Sequence, residues 1–124
     1  MSREIFIDFF LSICYESFMQ LYRLSDYKDG WFIGDFLPSI IRTKQFEVAY
    51  KVHRRGSLWP RHLQRKAVEI NLITRGRLSL NGRVFEVGDI ILVPAKFPIK
   101  PRFLTNVEVV VIKIPSLPGD KVIA

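Results

Sequence analysis

Sulfur chemistry is almost absent from this chain. Cys14 stands alone among 124 residues, which excludes a disulfide framework and a cysteine-rich zinc site, and nothing in the sequence calls for an oxidising compartment. Long apolar runs are missing as well. Between Ile5 and Tyr22 the apolar residues come in short groups interrupted by Asp8, Ser12, Glu16 and Gln20, whereas a membrane span needs about 20 nearly continuous apolar residues. A secretory leader is excluded by Glu4 and Asp8 and by the lack of a small-residue cleavage site. Repeats and low-complexity segments are absent too. Acidic residues are scarce after residue 38: residues 1–38 carry three basic and six acidic side chains, and residues 39–124 carry sixteen and six. The second part of the chain should therefore favour anionic company.

What is present divides the chain into an N-terminal helical extension, residues 1–27, and one β-barrel domain, residues 28–124. The polar positions 8, 12, 16 and 20 recur every four residues, and a wide aromatic surface of Phe6, Phe9, Phe10 and Phe18 remains. That spacing predicts a helix packed on the domain or on a partner. Its polar face is acidic, which disfavours a membrane surface. Met19, just before Gln20-Leu21-Tyr22, is a second candidate start of translation.

From Trp31 onward the pattern is of short strands and turns. Phe46, Val48, Tyr50 and Val52 alternate with Glu47, Ala49, Lys51 and His53, a period of two. Val68–Thr74, Arg77–Leu80 and Ile90–Val93 read as further strands. Asn81-Gly82 marks a hairpin whose central residues need positive φ, and Pro94 stops the strand before it. Val107–Ile114 is apolar on both faces apart from Glu108 and Lys113 and reads as a central strand. Short strands at short intervals indicate an all-β sandwich or barrel.

One stretch carries most of the chemistry: Gly56, five residues, His62, one, Gln64, four, Glu69, six, Gly76. On an extended strand His62 and Gln64 share a face, and Glu69 follows across a turn, so a hairpin would bring imidazole, amide and carboxylate together. The spacing resembles the first signature of the cupin superfamily, with Gln64 in place of a second histidine. Gly88, five residues and Pro94 open the second signature, where Lys96, Ile99 and Phe103 replace the family's glycine, histidine and asparagine. The flanks, residues 29–36 and 113–121, are similar to those of small single-domain cupins.

The resemblance implies a jelly-roll barrel (double-stranded β-helix), often a homodimer, with a cavity inside its mouth. In metal-binding members, three histidines and the glutamate hold a divalent ion. Here His62, Gln64 and Glu69 would be the set, with Gln64 a weak donor and Ile99 none, so the expectation is no cofactor or a weakly held divalent metal. The leading expectation is a protein of the cell interior binding a compact anionic metabolite, a sugar phosphate or nucleotide sugar, in the barrel. His62, Gln64 and Glu69 would line the site, and Lys96, Lys100 and Arg102 would supply positive charge at its mouth, with His62 or one of these bases neutralising Glu69. The rival is an enzyme: a metal-dependent oxygenase or isomerase using His62 and Glu69, or a metal-free sugar-nucleotide epimerase with His62 as catalytic base, for which Tyr50 on a neighbouring strand would be the acid. A third reading is a scaffold subunit docking a partner through the aromatic helix. The basic run from Arg42 to Lys66 reads mostly as a solvated surface, and no nucleic-acid-binding motif accompanies it. His53 is expected to be an exposed or hydrogen-bonded strand residue, and Trp31 and Trp59 to be core or rim aromatics.

Overall fold

A computed structural model describes residues 18–124. The helix expected near the N terminus falls largely on residues 1–17, outside the described residues. The remainder of that region, residues 18–27, contains a single 3-10 turn, Leu24–Asp26, in place of an extended helix.

Eleven strands follow: β1 Trp31–Gly34, β2 Ile41–Arg42, β3 Glu47–His53, β4 His62–Gln64, β5 Val68–Arg75, β6 Arg77–Leu80, β7 Arg83–Glu86, β8 Ile90–Val93, β9 Pro101–Phe103, β10 Val107–Ile114 and β11 Lys121–Ile123. A six-stranded sheet runs in the order β2-β1-β3-β10-β5-β8, accompanied by a three-stranded sheet β7-β6-β9 and a pair β11-β4. Backbone bridges from His62 to Ile99 and from Leu58 to Arg102 link the smaller pieces. The apolar run Val107–Ile114 is indeed central, hydrogen-bonded to β3 on one side and β5 on the other. Asn81 (φ 52°) and Gly82 (φ 86°) make the predicted turn between β6 and β7.

The core gathers Ala49, Ile73, Leu78, Val93, Ile99, Phe103, Val107, Val109 and Val111 between the sheets. Strand β3 breaks the usual rule that apolar side chains face inward. Register places Glu47 beside Lys113 and Lys113 beside Glu69 at one level of the sheet, and Ala49, Val111 and Asn71 at the next. The inward row of β3 is therefore Glu47, Ala49, Lys51 and His53, all but Ala49 polar. Val52 on the outer row is 64% exposed, as are Ile90 (70%) and Leu92 (63%) on the outer side of β8. A strand that turns its polar side chains inward must be facing a site rather than a core alone.

The hairpin expected to carry His62 and Glu69 does not form. Strand β4 pairs with β11, while β5 is held between β10 and β8. The reason lies in the corner between them. The Asp120 carboxylate accepts backbone N–H bonds from Lys66 (2.9 Å) and Ala67 (2.9 Å), which turns the chain from one sheet to the other. No helix among the described residues is long and apolar enough to cross a membrane.

Candidate functional site

A cavity of about 480 Å³ opens inside the barrel, within the range usual for small-molecule sites. His62 and Glu69 both line it although they come from different sheets. His62 is 7% exposed and Glu69 8% exposed. His62 Nδ1 lies 2.9 Å from the carbonyl oxygen of Pro60. A carbonyl can only accept, so Nδ1 carries the proton and the lone pair of the neutral ring sits on Nε2. Glu69 Oε2 accepts a bond from Asn71 Nδ2 at 3.1 Å.

Gln64 shares the buried face of β4 with His62 but is not on the cavity wall. Its amide is buried, and neither Nε2 nor Oε1 has a protein partner, an arrangement that costs about 1–3 kcal/mol unless a ligand or water satisfies it. Ile99, where the second cupin signature has histidine, lines the cavity as a hydrocarbon surface. Among the described residues no three His, Cys, Asp or Glu side chains gather as metal ligands. An imidazole and a carboxylate, with the amide set back behind the wall, do not make the donor set of a tight divalent site.

The bases expected at the mouth stand elsewhere. Lys96, Lys100 and Arg102 are exposed, and none lines the cavity. Lys96 occupies the left-handed region with φ 66°, which explains why the signature has glycine there. Lys100 Nζ is engaged by the carbonyl oxygen of Trp59 at 2.8 Å. Glu69 consequently makes no ion pair with any of them, nor with any other base among the described residues. Tyr50 does not face the cavity either; its hydroxyl donates to Glu108 Oε1 at 2.9 Å, on the outer side of the sheet.

The cations on the wall are Lys28, Lys51, Lys113 and Lys121. Lys51 Nζ lies 5.5 Å and Lys113 Nζ 5.0 Å from the centre of the Trp31 ring, and Lys121 Nζ lies 4.5 Å from that of Trp59. Burial holds Lys51 and Lys121 below the usual lysine range, and each is depressed further by neighbouring lysines. His53 stacks on Phe103 with centroids 4.2 Å apart and meets Trp59 edge-on at 5.3 Å. Burial, with Lys51 and Lys121 behind it, pushes the His53 imidazole down to about 4. His53 is thus a neutral part of the cavity wall, not an exposed strand residue. Glu47, 6% exposed, is raised above the ordinary carboxylate range by burial and lowered in part by Lys113.

The sequence motif misses Lys51, Lys113 and Lys121 because they come from β3, β10 and β11, outside residues 56–76. A usable signal was the polar row of β3, where Lys51 and His53 share a face with Glu47.

The fold has clear counterparts among solved structures. The DMSP lyase DddQ from Ruegeria pomeroyi superposes with a TM-score of 0.62 at 20% identity, over 81% of this chain and 54% of that one. This chain thus spans about half the length of the lyase. An uncharacterised double-stranded β-helix protein from Klebsiella pneumoniae gives a TM-score of 0.62 at 16% identity, covering 89% of this chain and 93% of its own. KdgF from a Halomonas species gives 0.59 at 17% identity over 79% and 96%. The fold is that of the cupins. No protein-family model matches the sequence, and no curated protein matches it. The cupin barrel is therefore established by shape, with His62 and Gln64 on β4 and Glu69 on β5.

Proposed function

We propose that this cupin barrel binds a small anionic metabolite, with sugar phosphates and nucleotide sugars as the leading class, in a protein of the cell interior. The observation that carries the reading is the convergence of His62, Glu69, His53, Trp59 and several lysines on one open cavity. Such a wall offers hydrogen-bonding groups for hydroxyls, aromatic edges for a ring face and positive charge for an anion. A divalent metal would be at most a weakly held accessory, because the donor set does not fit one. Thermal-shift screening of the full chain against sugar phosphates and nucleotide sugars tests the proposal, since a ligand that binds only the folded state raises the melting temperature. The expected result is a concentration-dependent rise with at least one member of the panel. A flat response, together with no small molecule in the mass spectrum of the purified protein, would overturn it.

A second reading, proton transfer at a bound substrate, is favoured by the tautomer of His62, whose unprotonated Nε2 suits a general base. With Tyr50 outside the cavity, the acid expected for an epimerase is missing from that position, so this reading needs a different donor on the wall. We also propose a homodimer; the exposed Val52, Ile90 and Leu92 on the outer side of the large sheet support it. Light scattering of the purified chain checks it, and a monomer mass at tens of micromolar would refute it.

A further inference from the structure

The cavity does not present its positive charge evenly. Lys51 and Lys113 both lie over the ring of Trp31, one residue level above and one below Ala49, the residue paired with Trp31. Ala49 is fully buried and small, which leaves the indole room to lie across the lysine stems. Lys121, over Trp59, comes in from the opposite sheet, and the three ammonium groups are near enough to repel one another. None has a carboxylate at ion-pair distance among the described residues. Lys51 is anchored through Nζ to the backbone oxygen of Asp29 at 2.7 Å.

The acidic groups on the same wall hold hydrogen bonds of their own and act on the lysines only through space. Asp120 is committed to the N–H groups of Lys66 and Ala67, Glu69 to Asn71, and Glu47 to the N–H of Leu117. Asp29 lies on the wall and attracts Lys51 without pairing with it.

We propose that Lys51, Lys113 and Lys121, held by Trp31 and Trp59, form a subsite for a dianionic oxyanion group, phosphate monoester in chemistry. This rests on the reading of the barrel as a metabolite site and assigns the ligand's charge to a place in it. The three ammonium groups repel one another, and Asp29, Glu47 and Glu69 attract them from beyond ion-pair distance without pairing with them; a dianion seated between the lysines relieves more of that repulsion than a carboxylate does. Ring faces fix the lysine heads without consuming their donors. The remainder of the ligand then extends toward His53, His62 and Glu69.

The test is a titration of the full-length protein with inorganic phosphate at constant ionic strength, read by tryptophan fluorescence, since Trp31 and Trp59 are the chain's two tryptophans and both carry subsite lysines. Phosphate should give a saturable change, with acetate at least ten-fold weaker. The double variant Lys51→Met/Lys113→Met should lose at least ten-fold in phosphate affinity, with Lys113→Arg restoring much of it in the Lys51→Met background. Arg102→Met, on the outer surface, should bind as the parent does. A melting curve for each variant separates loss of the subsite from loss of the fold; if the double variant does not fold, Lys121→Met replaces it. No saturation above a chloride control, equal response to acetate, or undiminished affinity in the folded lysine variants would overturn the subsite. The two proposals fail separately. Phosphate binding with no response to any metabolite supports the subsite and sinks the wider reading. Metabolite binding indifferent to the lysine variants does the reverse.

Discussion

His62 and Ile99 are backbone partners on the cavity wall, exchanging N–H···O bonds of 3.0 Å and 2.8 Å. Position 99 is therefore held beside His62 by the sheet itself, whatever side chain it carries. The metal-site pattern that the cupin resemblance implies would have histidines at positions 64 and 99, where this chain has Gln64 and Ile99. Restoring both donors, in the variant Gln64→His/Ile99→His, should produce stoichiometric uptake of nickel or zinc, measured as metal per chain after dialysis. The parent should retain less than one tenth as much. Equal, low content in both would show that positions 62, 64 and 99 do not converge on one point.

Lys96 holds a left-handed backbone conformation, φ 66°, that costs an L-residue about 1–2 kcal/mol. Its backbone N–H also bonds the carbonyl oxygen of Gln64 at 2.7 Å, so the conformation cannot relax without breaking the contact between the two motif segments. Lys96→Gly should stabilise the fold by about 0.5–1 kcal/mol, the gain being reduced by the greater freedom of glycine in the unfolded chain. Denaturant unfolding monitored by circular dichroism measures this. Because Lys96 is outside the cavity, ligand affinity should not change.

His53 titrates at about 4 in the folded protein, driven down by burial and then by Lys51 and Lys121. Unfolded, it returns to an ordinary value of about 6.5. Between those values the unfolded chain binds a proton that the native chain refuses, so stability falls as the pH is lowered from 6.5 toward 4. The titration is visible in the imidazole proton shifts by NMR. An anion seated among the lysines should raise the His53 value by cancelling their charge. The variant His53→Phe should keep the stacking on Phe103 and lose this part of the pH dependence.

Asp120 is depressed below its ordinary value. Burial opposes its charge, but the N–H bonds from Ala67 and Lys66 and the charges of Arg65 and Lys113 outweigh it. A carboxyl lowered on folding stabilises the native state above its unfolded pKa, and that contribution disappears as the pH falls through the folded value. Asp120→Ala should cost about 2–3 kcal/mol at neutral pH by leaving the corner N–H groups without their acceptor. Chemical denaturation at pH 7 and at pH 3 checks both sign and size, with a smaller difference at pH 3.

Much of this architecture was legible in the residues. Period-two alternation located β3, the Asn81-Gly82 turn located β6 and β7, the two-faced apolar run Val107–Ile114 located β10, and the spacing from Gly56 to Gly76 located the strands that bring His62 and Glu69 to one cavity. Charge placement was not legible. Lys96, Lys100 and Arg102 lie within the second signature, yet none lines the cavity; Lys100 Nζ is held by the Trp59 carbonyl. The lysines that do reach the cavity belong to β3, β10 and β11, which meet only through long-range pairing. Nor does spacing reveal that β4 and β5 part company at a corner, because the residue that makes the corner, Asp120, is more than fifty positions away.

The polar inner row of β3 leaves the folding chain with a rival alignment. Sliding that strand by one residue would turn Val48, Tyr50 and Val52 inward and Lys51 and His53 outward, a pattern that hydrophobicity alone would prefer. Gly30 permits the native alignment: a methyl group there would lie 2.1 Å from the Tyr50 carbonyl oxygen, so that alignment seats the carbonyl where only a bare α-carbon fits. The Tyr50 hydroxyl locks the same residue to Glu108. The polar lining of the cavity thus depends on an alignment that one tight backbone fit and one phenol favour, and a redesign that smooths the strand's hydropathy should favour the slipped alignment.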